Sequence, residues 1–499
     1  MTSVALIACA ALAAGALVGP SSRVRAGALL GSLVLAPIIL VAHIWDSSQL
    51  DTLRDRPAVA AIGIVLGLAV LVALARLLDR RPQLFPIAVV ATVPFRVPIS
   101  AGGSTANLLL PLYLVVAAGA IAYALPRLRG DDAVAEDGAE AEDRPGALEW
   151  LLGATLVLYA AQTISTADRD HALEQLVFFY VPFAALFLLL GRVRWSADLL
   201  RRCLLVLGAL ALGLVAVGFY EYATKTLLLN PKVIASNQFE DYFRVNSLFF
   251  DPNIYGRFLA VVMIAYAGVL LWGRRAQDVA RTGLVLGVLW TGLVLTLSQS
   301  SFAALLLGLA VLAGLRWNPR KAALTAGSLA VATALVVLAA PGLVNLDLSS
   351  GKSVDEATSG RYDLIAGGVG LIGERPVLGH GSGSFSREYR RREQVSAQRA
   401  TSASHTIPVT VAAEQGLVGL AVYLALLAAA LSRLLRGASL SLARSVIAAA
   451  FLALLLHTMV YAAFLEDPLS WALLAVGTAL WRHERASRNR PEHDALATA

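Results

Sequence analysis

Apolar stretches long enough to cross a bilayer recur from one end of this 499-residue chain to the other, and that repetition excludes an ordinary soluble globule. The hydrocarbon core offers no partner to a bare N–H or C=O, so each stretch must close its hydrogen bonds within itself, as a helix. Charged or Gly/Pro-rich breaks separate stretches at approximately 2–19, 26–45, 57–75, 84–99, 107–125, 147–166, 173–191, 199–222, 253–272, 279–297, 299–315, 321–340, 405–432, 444–464 and 468–481. The expected fold class is therefore all-α: a polytopic integral membrane protein with about 14–15 transmembrane helices and a long extracytoplasmic loop carrying short helices. The stretch at 84–99 carries Pro86, Pro94 and Pro98 and is expected to be broken or re-entrant. With 58% hydrophobic and only 15% charged residues, the composition agrees.

Basic residues near a span resist translocation, so their distribution orients the chain. Most lie in alternate short loops and in the tail from 482, whereas the opposite short loops hold Arg54, Arg56 and Arg169. That asymmetry predicts an outer N-terminus, an inner C-terminus and two long outward loops at 223–252 and 341–404. The implied units are N-terminal spans over 1–125, an acidic cytoplasmic linker at 126–146, central spans over 147–340, the large loop at 341–404, C-terminal spans over 405–481 and a cytoplasmic tail at 482–499. The first apolar stretch lacks a preceding basic residue and reads as a span, not a cleavable leader. A net charge of +7 raises nucleic acid as a partner, but the arginines are scattered over loops and not gathered on one soluble face, so none is expected. Cys9 and Cys203 form no disulfide or metal pattern. Arginine in excess of lysine, with abundant alanine, points to a GC-rich bacterial genome, and the expected location is a bacterial cytoplasmic membrane.

The segment from Ser359 to Gly419 is glycine-rich, polar and cationic, and lies between two spans. His405 stands where the following span begins; a neutral imidazole there can take a proton from a hydroxyl, or serve only as an interfacial residue. Arg361 opens an amphipathic stretch and is either a phosphate clamp or a partner for Asp363 or Glu374. Arg387, Arg390, Arg391, Arg392 and Arg399 read first as attraction to lipid headgroups. In GHGSGSF, Gly379–Phe385, successive N–H groups can cradle an anion, although a plain turn explains the glycines as well. Arg96 and Arg257 fall inside apolar stretches, where a charge must face protein or a water-filled cavity. Arg244 is a further phosphate candidate. Asp251-Pro252-Asn253 has the form of a helix cap, so Asn253 is a binding residue or a structural one. Glu414 is too far along a regular helix to face His405 and is expected to pair with Arg257 or Arg96. His43, His380 and His457 read as structural.

Taken in order, FRVNSLFFDPNIYGRFLA, TLSQSSFAALLLGLA, Arg361-Tyr-Asp-Leu, ERPVLGHGSGSF and SHTIPVTVAAEQGLVGL resemble the O-antigen ligase and O-antigen polymerase superfamily, membrane glycosyltransferases of the GT-C type. The resemblance covers about 250 residues of the C-terminal half. It implies transfer of a glycan from a polyprenyl-diphosphate carrier to a hydroxyl of a glycan, lipid or protein acceptor on the outer membrane face, with no metal and no cofactor. Arg361 and Arg244 would hold the diphosphate and His405 would activate the acceptor; Arg96, Asn253, Arg257 and Glu414 complete the expected substrate site. Thr406 follows the histidine where the family usually has asparagine, and Gln299 follows Ser298 where it often has arginine. A transporter of lipid-linked sugars and a non-catalytic scaffold are the competing readings.

Overall fold

The computed structural model describes residues 2–47, 50–101, 104–130, 144–229, 243–273, 275–317, 324, 361–394, 406–461 and 463–496. Its helices are α1 (Thr2–Val18), α2 (Ser22–His43), α3 (Asp51–Asp55), α4 (Pro57–Arg80), α5 (Leu84–Thr92), α6 (Leu110–Arg129), α7 (Ala147–Ala161), α8 (Arg169–Gln175), α9 (Val181–Leu190), α10 (Ala197–Thr224), α11 (Pro252–Trp272), α12 (Ala276–Thr296), α13 (Gln299–Arg316), α14 (Arg361–Glu374), α15 (Phe385–Glu393), α16 (Ile407–Leu435), α17 (Leu442–Tyr461) and α18 (Pro468–Leu496). Eleven of the expected spans form helices long and apolar enough to cross a membrane, making this an all-α, multi-pass membrane protein. Of the other four, 2–19 is the shorter apolar α1, 468–481 begins α18, and 321–340 falls almost wholly outside the described residues. The fourth, 84–99, is broken as its prolines require: α5 ends at Thr92, and the chain turns through a small antiparallel hairpin, β1 (Val97–Ala101) with β2 (Ser104–Leu108), Ile99 opposite Ala106. This hairpin is the one sheet among the described residues and was not legible as a period-two pattern.

The two extremes of burial show how the helices sort. In α9 every residue of VPFAALFLLL is buried, as expected of a helix apolar on all sides and enclosed by others. Only 6% of the most apolar window of α4 is buried, so nearly its whole circumference is left for lipid. Around α9 pack α1, α2, α6 and α18; α11 packs against α12, α13 and α17; and α16 lies against α7 and α14. Helix starts follow local chemistry: Ser21, Ser196, Asp251 and Ser298 each accept a backbone N–H of their own first turn.

The larger loop folds back onto α16. At Gly416 (φ 65°, ψ −167°) α16 leaves helical geometry, and the backbone groups released there are taken up by residues 376–381. Leu417 N–H donates to Pro376 C=O at 2.8 Å, Gly381 N–H to Glu414 C=O at 2.8 Å, and His380 N–H to Ala413 C=O at 3.0 Å. A Cβ at position 416 would lie 2.2 Å from the Val377 carbonyl oxygen, so only glycine fits. The acidic segment 131–143 and residues 395–405 are outside the described residues.

Candidate active site

A cavity of about 250 Å³ opens where several parts of the chain meet. The first half of α16 contributes Ile407, Thr410, Val411, Glu414 and Gln415; α11 contributes Ile254 and Arg257; the α17–α18 connection contributes Tyr461 and Ala463–Glu466; and Arg96 comes from the turn after α5. Between α8 and α9, Leu176–Tyr180 winds as a π-helix, and this wider turn presents Phe179 and Tyr180 to the same space. The site is thus assembled from both halves of the sequence.

Arg257 is the dominant charge. It is 2% exposed, and its Nη2 lies 2.6 Å from Asp467 Oδ2, itself buried. Its Nε and Nη1 have no hydrogen-bond partner among the described residues. A buried guanidinium with two unsatisfied donors on a cavity wall is built to receive an oxyanion. Arg96 is half-buried beside it; burial lowers its pKa below the ordinary value, Asp467 opposes that shift and Arg257 adds to it. Gln175 donates to Glu466 at 2.8 Å and accepts from the Tyr159 hydroxyl at 2.5 Å. Burial pushes the Glu466 carboxyl up to about 7 against the pull of Arg257 and Arg96.

Of the residues expected at the site, Arg96, Arg257 and Glu414 meet at this cavity. Arg244 and Asn253 belong to a polar network behind α11: Arg244 donates to Thr296 C=O at 3.0 Å and to Asn253 Oδ1 at 3.3 Å, and Ser298 donates to the same Oδ1 at 2.8 Å. The network reaches His457 through Ser301 at 3.3 Å. It touches the cavity through Tyr461, whose hydroxyl donates to Asp251 Oδ2 at 2.6 Å while Asp251 Oδ1 caps α11 at Asn253 N–H. Arg361 is the first residue of α14; its side chain, and His405 altogether, lie outside the described residues. The described chain resumes at Thr406, and α16 begins at Ile407 in the cavity wall.

Two expectations change. Glu414 is not the partner of either arginine: its carboxylate accepts Gly383 N–H at 2.9 Å and Phe385 N–H at 3.0 Å, and the carboxylate at Arg257 is Asp467. The anion cradle read into GHGSGSF therefore exists, with Gly379, Gly381 and Gly383 all at positive φ, and the anion it holds is Glu414. The arginine run also finds partners within the chain at its surface: Arg392 and Arg391 reach Glu374 at 2.7 and 3.0 Å, and Arg387 donates to the Ala167 carbonyl. Sequence reasoning missed Asp467, Glu466, Gln175 and Tyr461. One clue was present, because Asp467-Pro468 repeats the Asp-Pro helix start of Asp251-Pro252, and Asp467 Oδ1 accepts Leu469 N–H at 2.8 Å. Among the described residues no cluster of three His, Cys, Asp or Glu side chains has the arrangement of metal ligands.

No curated protein matches the chain. Residues 283–424 match a family described as O-Antigen ligase. That span runs from α12 to the middle of α16 and includes the loop clamped by Glu414 and the α16 wall of the cavity. The chain is thus a multi-pass membrane protein with one buried and one half-buried arginine on a cavity inside its helical bundle, and its residues 283–424, which end on that cavity's wall, are similar to the O-antigen ligase family.

Proposed function

We propose that the protein transfers, or polymerises, a glycan from a polyprenyl-diphosphate carrier onto an acceptor hydroxyl at the outer face of a bacterial cytoplasmic membrane. The observation that carries this reading is Arg257, buried and ion-paired on one edge, with Nε and Nη1 without a partner among the described residues, beside a cavity of about 250 Å³. In such a transfer the acceptor oxygen bonds to the anomeric carbon, the carbon–oxygen bond to the diphosphate breaks, and the electron pair leaves on phosphate. Fixed cations placed where that charge grows lower the barrier without reorganising, which is the work assigned to Arg257 and Arg96 and, by resemblance, to Arg361. Arg244 and Asn253 hold the start of α11, and hence Arg257, in register through Asp251. His405 takes the acceptor's proton. Glu414 fixes the loop beneath the site. Because the arginines supply the positive charge, the reaction is expected to need no metal.

Purified protein, a polyprenyl-diphosphate oligosaccharide and candidate acceptors, with EDTA present, test the reading. His405→Ala and Arg361→Ala are expected to abolish new glycosidic product while leaving the unfolding temperature unchanged. Full transfer by both variants would reject the assignment of these residues, and carrier movement across a bilayer without a new glycosidic bond would favour a transporter.

A further inference from the structure

The turn between α14 and α15 sits lower in the molecule than a loop outside the membrane would. It runs beside α16, where Leu417 N–H donates to Pro376 C=O at 2.8 Å and Val418 N–H to Val377 C=O at 3.3 Å; Gln162, just past α7, donates to Leu378 C=O at 3.1 Å. These bonds fix its height against two helices. From Leu417 to the other end of α16, at Leu435, is roughly 27 Å at about 1.5 Å per residue, and from Gln162 to the start of α7, at Ala147, is roughly 22 Å. The two far ends lie together: Glu149 accepts Arg482 at 2.9 Å and Arg433 at 3.5 Å, a charged knot that marks one membrane surface. The apolar core of a bilayer is about 30 Å thick, so the tip of the turn stops short of the opposite surface and lies within hydrocarbon. Any tilt of either helix brings it lower still.

Non-helical backbone is tolerated at such a depth only where protein satisfies its polar groups. Every carbonyl from Arg375 to Leu378 accepts a hydrogen bond, that of Arg375 from Gly379 N–H at 3.0 Å, and Pro376 has no N–H to place. Of the turn's N–H groups only those of Val377 and Leu378 are without a partner among the described residues, which suits a tip just under the headgroups and not one at the bilayer centre.

The side chains agree. Val377 and Leu378 are 60% and 64% exposed, and beside them Leu417 and Val418 are exposed on α16, a helix that crosses the membrane. The four make one apolar patch continuous with the outward face of a span. Helix α14 descends alongside α16, with Gly368 against Val409 and Pro376 against Leu417, so the residues before Pro376 lie nearer the surface. Those residues are charged: Arg375 is exposed, and Glu374 takes Arg392 at 2.7 Å and Arg391 at 3.0 Å. An apolar edge beneath a cationic rim is the arrangement of a segment sunk about 5–10 Å into a membrane surface.

We propose that the turn Arg375–Gly379 is a re-entrant anchor, with Val377 and Leu378 set among the acyl chains of the leaflet on the cavity side and Arg375, Arg391 and Arg392 at the level of its headgroups. The anchor is independent of the transfer reaction.

The test uses the full-length protein in phosphatidylcholine vesicles, carrying an environment-sensitive fluorophore on Leu378→Cys or, separately, on Glu393→Cys, an exposed position of α15. Cys9 and Cys203 are buried and stay in place, the parent protein giving the labelling blank. Lipid nitroxide is expected to quench position 378 about threefold or more better than position 393, and aqueous iodide to show the reverse order. Iodide reaching both positions equally, or neither quencher reaching 378, would overturn the proposal. Leu378→Asp needs no label: a charge among acyl chains is expected to lower the unfolding temperature in vesicles, whereas the same change at a side chain in water would leave it unaltered. An unaltered unfolding temperature for Leu378→Asp would likewise overturn the anchor.

Discussion

Replacing Arg257 by lysine separates the two jobs of that side chain. Removing its charge altogether would strand Asp467, and breaking a buried ion pair by deleting one partner costs about 3–5 kcal/mol, so Arg257→Ala confounds folding with function. Lysine keeps a cation that can reach Asp467 but cannot also present the Nε and Nη1 donors that lack partners in the cavity. Two charge-assisted hydrogen bonds to a leaving phosphate are worth about 1.5–3 kcal/mol each. At about 1.36 kcal/mol per decade, their loss amounts to roughly two to four orders of magnitude in kcat/KM. The assay is single-turnover glycan transfer from a polyprenyl-diphosphate donor, read alongside the unfolding temperature of the same preparation. Arg257→Lys with near-native stability and a rate at least a hundredfold lower (about two decades) is the expected result. Wild-type turnover by a folded Arg257→Lys protein would refute the claim that those two donors meet the substrate.

Other groups make distinct predictions. Glu414→Gln leaves one of the two loop N–H groups facing an amide NH₂, so a loss of about 2–3 kcal/mol and faster amide exchange at Gly383 and Phe385 are expected; unchanged exchange there would show that the clamp does not hold the loop. Glu466 has a folded-state pKa near 7, raised from 4.5, so the folded protein favours its protonated form. The stability this contributes is present in acid and lost as pH rises through about 7, an effect of at most about 3 kcal/mol and less where water in the cavity screens the half-buried carboxyl. Glu466→Gln is therefore expected to flatten the fall in unfolding temperature between about pH 5 and pH 8, and an unaltered pH profile would remove Glu466 from that account.

How much was readable beforehand depended on the kind of signal. Spans announce themselves because twenty apolar residues in a row have few soluble explanations, and the three prolines after Leu84 marked where one would fail. Arg96 and Arg257 were legible for the same reason: a charge within an apolar stretch has to be answered by something polar. What answered it was not legible. Asp467 lies more than two hundred residues beyond Arg257, and only the packing of α11 against the α17–α18 connection brings them together. Glu414 was found but given the wrong partner, since a regular α16 was assumed and Gly416 breaks it; the broken turn lets the loop's own N–H groups reach the carboxylate first. Gln175 and Tyr159 carry no sequence mark at all, being ordinary polar residues until the packing of α7 beside the end of α8 brings them together at the cavity.

The break at Gly416 also limits how the cavity can admit a bulky lipid-linked substrate. Swinging the 407–415 half of α16 outward would unzip its bonds to residues 376–381 as a set and release Glu414 from its two amides, so that wall is a fixed jamb and not a door. The α17–α18 connection is held at the rim by Tyr461 on Asp251, by Gln175 on Glu466 and by Asp467 on Arg257. The last of those ties runs to a cation for which the diphosphate of the proposed donor would compete, so such a substrate would carry the means to loosen the side by which it enters.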